Sequence, residues 1–131
     1  MTENKDKLFE LQFVDKQLGQ LKEHLEKLDQ QLNEVMGISK SLEEFKELDG
    51  KEELLVPIVS GIFASARLES SQQIKMNVGQ GIVVEKNIDQ TIAMIGDQAA
   101  QMVQYREQVL EQFNSLIKRA EILAGELQKT Q

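Results

Sequence analysis

The sequence predicts an α+β fold: a long antiparallel two-helix coiled coil whose helices are joined by two β-hairpins. Three observations carry that prediction. Residues 5–48 and 87–129 each hold an apolar seam at heptad spacing, and residues 54–86 between them alternate apolar and polar side chains around turn glycines. Aromatic residues make up only 5% of the 131-residue chain and tryptophan is absent, a balance that suits narrow helical seams better than a thick core. The length is that of one ordinary domain, so residues 1–131 are expected to form a single one.

In the first helix, expected over 5–48, Leu11, Val14, Leu18, Leu21, Leu25, Leu28, Leu32 and Val35 alternate three and four apart. That is a heptad a/d seam. The residues between Asp15 and Glu34 are otherwise polar or charged apart from Gly19, so the seam is narrow. After Val35 the next seam position is Ser39, while Ile38, Leu42 and Phe45 continue the stripe one residue early. A local irregularity beside Gly37, without a break, is expected there.

The middle segment, 54–86, reads as four short strands. In "GIFASARLE", Ile62, Ala64, Ala66 and Leu68 share one face; in "IKMNVG", Ile74, Met76 and Val78 do. Turns are expected near Ser60-Gly61 and at Gly79-Gln80-Gly81, with "SSQQ" joining the hairpins. Pro57 argues for an edge or a bulge in the first strand. The pair Gly79 and Gly81 is not a phosphate loop. A dinucleotide loop needs a third glycine and a helix start, whereas Gly81 leads into the strand "IVVEK".

The second helix, expected over 87–129, opens on Asn87 as an N-cap, with Gln90 completing a capping-box pattern. Its seam is Ile88, Ile92, Ile95, Ala99, Met102, Arg106, Val109, Phe113, Leu116, Ala120, Leu123 and Leu127, in which only Arg106 is polar. Val103, Leu110 and Ile117 widen the stripe. At 1.5 Å per residue each helix spans roughly 60–65 Å. Matched lengths make an antiparallel pair within the chain the simplest way to cover both seams, which brings both chain ends to one tip.

Composition narrows the function. Lys and Arg total 15 against 22 Asp and Glu, a net charge of −7 that repels a nucleic-acid backbone. There is no cysteine and only one histidine, His24, so disulfides, thiolate sites and a histidine metal cluster are excluded. No cofactor or metal is expected. No apolar run reaches the roughly 18 residues of a membrane span, and "MTENKDK" lacks an apolar signal core. A soluble, intracellular protein is expected. With carboxylates only and no pocket on a rod, an enzyme is not. Glu43-Glu44 and Glu52-Glu53 read as solvated faces, and His24 as a solvated side chain. Arg106 either specifies alignment of the helices or extends its guanidinium to a flanking Glu; the second is favoured.

Two hairpins bury little and leave edges open. The sequence therefore asks for an oligomer built around a β centre, with coiled coils projecting from it. The apolar strand residues that would serve assembly are Leu54, Val56, Ile58, Ile62, Phe63, Leu68, Ile74, Met76, Val78, Ile82 and Val84, with Gly61, Gly79 and Gly81 forming the turns.

At the start of the first helix Leu8, Phe9 and Phe13 lie off the seam, and Ile122 does so near the end of the second. Antiparallel pairing brings them together with the seam residues Leu11, Val14, Leu123 and Leu127. One reading is a surface that accepts varied apolar segments. The other is that Phe9 and Phe13 merely close the end of the coil.

The order helix, two hairpins, helix, with "GKEELLVPI", "GIFASARL" and "VGQGIVVEK", resembles an alpha-class prefoldin subunit, over the whole chain. "PIVSGIF" departs from the archaeal pattern, which often has an extra glycine there. The resemblance implies that residues 54–86 form part of an oligomeric β-barrel. It implies an ATP-independent co-chaperone: a hexamer of two alpha and four beta subunits, with a second copy of this chain in its β core. It further implies that coiled-coil tips hold unfolded polypeptide and deliver it to a group II chaperonin. The competing reading is a structural or tethering coiled coil without client binding.

Overall fold

A computed structural model describes residues 2–129. The chain forms α1 (Thr2–Lys46), β1 (Glu53–Val59), β2 (Ile62–Arg67), β3 (Gln73–Gly79), β4 (Ile82–Asn87) and α2 (Ile88–Lys129), in that order. Two long helices with two antiparallel hairpins between them are thus what the sequence predicts. The helix α1 begins three residues earlier than expected and ends two earlier. Its end tightens, as Glu47 N–H donates to Glu44 C=O and Leu48 N–H to Phe45 C=O, a three-residue spacing common at helix ends. Asp49 Oδ1 then accepts from Lys51 N–H at 3.0 Å, an Asx turn that leads into β1.

The residues fall into two compact units, one of 2–33 with 100–129 and one of 34–99. The first is a helix pair. Its core is Leu25, Leu28 and Val109, with Leu21, Leu110 and Phe113 packed against them, and Val14 and Leu123 are also buried. All are predicted seam or stripe positions. The remaining seam residues here are half-buried, as a narrow two-helix contact requires. Val103 is the exception to the wider stripe on α2, for it stays exposed.

The second unit holds the hairpins and the adjoining helical ends. The register of the first hairpin runs from Glu53 opposite Arg67 to Val59 opposite Ile62, and that of the second from Gln73 opposite Asn87 to Gly79 opposite Ile82. Each register shifts just before the turn, between Pro57 and Val59 and between Asn77 and Gly79. The bulge expected at Pro57 is therefore present. The two sheets are separate and two-stranded.

Burial in α1 corrects one expectation. Ile38 is exposed and Ser39 is half-buried, and the helix runs through Gly37 unbroken. Leu42 and Phe45, the other two residues expected to continue the stripe, are half-buried, so only Ile38 departs from it. A continuous helix keeps its phase, and the three-four spacing from Val35 selects Ser39 whatever the polarity of its neighbour.

Asn87 caps α2 as the sequence predicts: its Oδ1 accepts from Gln90 N–H at 3.1 Å. Ile88 is fully buried, and Ile88 N–H donates to Gln72 C=O at 2.9 Å. The buried Thr91 hydroxyl donates to Asn87 C=O at 2.8 Å, which meets its need for a partner. Lys46 Nζ lies 2.7 Å from Asp89 Oδ1, joining the end of α1 to the first turn of α2. That hydrogen bond is the main cause that raises the Lys46 pKa above its ordinary value.

Candidate functional site

Two apolar surfaces stand out, one in each unit. The first lies at the chain-terminal end of the helix pair. Arg119 reaches across to Glu10 with Nε 2.8 Å from Oε1 and Nη2 3.1 Å from Oε2. Lys7 Nζ lies 3.3 Å from Glu126 Oε2. These crossings set residues 7–10 level with 119–126. The Arg119 hydrogen bond is the chief cause that holds the Glu10 carboxyl below its ordinary range, and Glu10 raises the Arg119 pKa in turn.

At this end the predicted residues separate into two sets. Val14 and Leu123 are buried, and Leu11 and Leu127 are half-buried, so these four hold the helices together. Leu8, Phe9, Phe13 and Ile122 are exposed at 48, 60, 61 and 52%. Phe9 and Phe13 keep more than half their surface in water. Their spacing of four places them on one face of α1.

The second surface is the hairpin pair. Of the residues expected there, Val56, Ile58, Ile62, Phe63, Val78 and Ile82 are exposed, and Leu54, Leu68, Ile74, Met76 and Val84 are half-buried. Leu55, Val59 and Val83 are exposed too, and sequence reasoning left them out. The signal was available for two of them: Leu55 and Val83 are apolar on the face that a half-buried strand leaves polar, while Val59 lies beyond the bulge that shifts the alternation. Both faces of each hairpin thus carry uncovered apolar side chains. Gly61 and Gly81 have φ of 76°, Gly79 has 118° and Gln80 has 53°. Two successive positive values at Gln80 and Gly81 give the turn twist that tight hairpins need.

Two further cross-helix contacts were not foreseen. His24 Nε2 and the Tyr105 hydroxyl lie 3.0 Å apart, with the rings edge to face at 5.6 Å between centroids. His24 is half-buried beside this partner, and their contact is open to solvent. Arg106 Nε lies 2.6 Å from Asp29 Oδ1, so its guanidinium reaches an aspartate on α1 where a flanking Glu was favoured. Sequence alone does not place a partner on another helix until the register between the helices is known.

Among the described residues no group of His, Cys, Asp and Glu could hold a metal, and no helix is long and apolar enough to cross a membrane.

The prefoldin subunit family model matches residues 14–131. The chain is similar to the prefoldin subunit alpha of Archaeoglobus fulgidus, 23% identical over 95% of this chain and 91% of that one. The Pyrococcus horikoshii subunit is 29% identical over 92% and 75%. That of Methanopyrus kandleri is 29% identical over 60% of this chain, which spans half the length of that relative. A filamentous PFD from Methanocaldococcus jannaschii, seen by cryo-EM, has a TM-score of 0.71 at 20% identity, covering 96% of this chain and 99% of that one. At that identity the likeness concerns the fold. Prefoldin subunits are components of oligomeric chaperone complexes and not enzymes. With a family model covering nearly all of it and alpha subunits aligned along most of its length, the chain belongs to the prefoldin subunit family.

Proposed function

We propose that this chain is an ATP-independent co-chaperone subunit. It holds non-native polypeptide at the terminal end of its helix pair and delivers it to a group II chaperonin. The observation that carries the reading is the joint exposure of Leu8, Phe9, Phe13 and Ile122 at the terminal end of the helix pair. Apolar side chains in water on a surface of this kind bind non-native segments by burying area and need no nucleotide. The ion pairs of Glu10 with Arg119 and of Lys7 with Glu126 join the two helices beside these residues.

Residues 54–86 would build the assembly. On this reading two copies of the chain meet in a β core and four beta-class subunits complete a cytoplasmic hexamer, each chain acting as a single prefoldin-like domain. The uncovered apolar faces of both hairpins support a role in burial between subunits.

The test is light scattering. A denatured model protein is diluted, without ATP, into buffer with this chain and a beta-class partner, and the same mixture is sized. Suppressed aggregation by a hexamer-sized species is the expected result. Recovery of folded protein on adding a group II chaperonin then tests delivery. A formed complex that leaves aggregation unchanged would reject client holding by this chain.

A further inference from the structure

The two hairpins are register copies of each other at an offset of twenty residues. Glu53 opposite Arg67 becomes Gln73 opposite Asn87, Pro57 opposite Phe63 becomes Asn77 opposite Val83, and Val59 opposite Ile62 becomes Gly79 opposite Ile82. Strand lengths match as well, seven residues in β1 and β3 and six in β2 and β4. Each sheet has two strands, so all four strands present an unpaired outer edge, and those of β1 and β3 are equivalent to each other. At equivalent places on these edges stand Pro57 and Asn77.

Proline has no N–H, so it fits a paired strand only where its nitrogen faces away from the partner. Pro57 is paired with Phe63, so its nitrogen faces the outer edge of β1. By the shared register the Asn77 N–H faces the outer edge of β3. The Asn77 side chain is engaged locally, with Oδ1 accepting from Gly79 N–H at 2.9 Å, which leaves its backbone for the edge.

We propose that Pro57 closes the outer edge of β1 against strand addition by a second copy of this chain, and that the equivalent edge of β3 is the open one. The occupant follows from the edge itself. A two-fold antiparallel pairing of β3 with β3 of another copy, centred on Met76, sets Ile74 against Val78 and Lys75 against Asn77. No like charges meet, and the outward amides of Lys75 and Asn77 face outward carbonyls. The same operation on β1, centred on Val56, sets Leu55 against Pro57. Each Pro57 then lacks the donor that the opposing Leu55 carbonyl requires, and two-fold symmetry doubles the loss. The apolar side chains exposed on β1, Leu55, Val56, Ile58 and Val59, are thereby left for contacts through a sheet face. Placing proline on one of these two equivalent edges leaves β3, of the pair, as the one that accepts a strand.

The inference rests on self-pairing in the β core, and its test separates the two. The full-length chain is compared with Pro57→Ala and Pro57→Val by size-exclusion chromatography with light scattering, and amide exchange is followed at position 57. The wild-type chain is expected to form a finite self-associated species. Both variants regain the N–H, and both are expected to shift to species of at least about twice that mass, with the new amide protected. Melting curves confirm that the variants are folded. Unchanged mass in folded variants overturns the proposal. A shift for Pro57→Val alone also overturns it, since added apolar surface and not the restored donor would be the cause. A monomeric wild type with larger variants upholds the closed edge and rejects self-pairing through β3.

Discussion

Arg119 grips Glu10 with two parallel hydrogen bonds across the helix pair, one residue after Phe9 and three before Ile122 in their respective helices. A fork-to-carboxylate contact has one good geometry, so it fixes the level at which the two helix ends meet. The exposed apolar side chains are carried on either side of that fixed point.

The Glu10 carboxyl is held below its ordinary value of 4.5, chiefly by the Arg119 hydrogen bond. A depressed carboxyl contributes stability above its unfolded pKa and loses it as pH falls through the folded one. Glu10→Gln is expected to lower the melting temperature slightly at neutral pH, and the gap should close as both proteins are taken below pH 4.5. A gap that persists in acid would show that the charge is not what holds the contact.

Replacing Phe9 and Phe13 together by Ser is expected to abolish suppression of aggregation by the assembled complex. Both side chains are already exposed, so the change in folding free energy should stay within about 0.5 kcal/mol per site. A large fall in the melting temperature would instead make them part of the core.

Leu123 is fully buried one residue from the exposed Ile122. Leu123→Ala should cost about 2–5 kcal/mol, while Ile122→Ala should cost little and weaken client holding. Equal destabilisation by the two, in denaturant titrations, would contradict the division of this end into seam and surface.

Asn87→Ala removes the acceptor for Gln90 N–H and should cost about 1 kcal/mol. Asn87→Ser should recover most of that loss. Failure of the serine variant to do so would assign the effect to the last residue of β4 and not to the cap.

The helix pair was legible because burial repeats with the heptad: Val14, Leu25, Leu28, Val109 and Leu123 are all seam residues. The hairpins were legible from turn chemistry at Gly61, Gly79 and Gly81 and from the proline at the bulge. Ile38 was misplaced because apolarity was given more weight than helical phase. The partners of His24 and Arg106 were missed because each lies on the other helix, 81 and 77 residues away in sequence. Leu55 and Val83 were missed because a strand in an assembly loses its polar face, and alternation assumes that one face stays wet, while Val59 was missed because it lies beyond the bulge.

The helices enter the β region by unlike joints. Residues 47–52 separate α1 from β1, but β4 ends at Asn87 and α2 begins at Ile88, with the Ile88 amide bonded to Gln72 between β2 and β3. In mechanical terms the first turn of α2 is built into the end of β4, whereas the end of α1 is held by a tether to β1 and by the Lys46–Asp89 contact. No residue separates the second hairpin from the first turn of α2, whereas six separate α1 from the first hairpin.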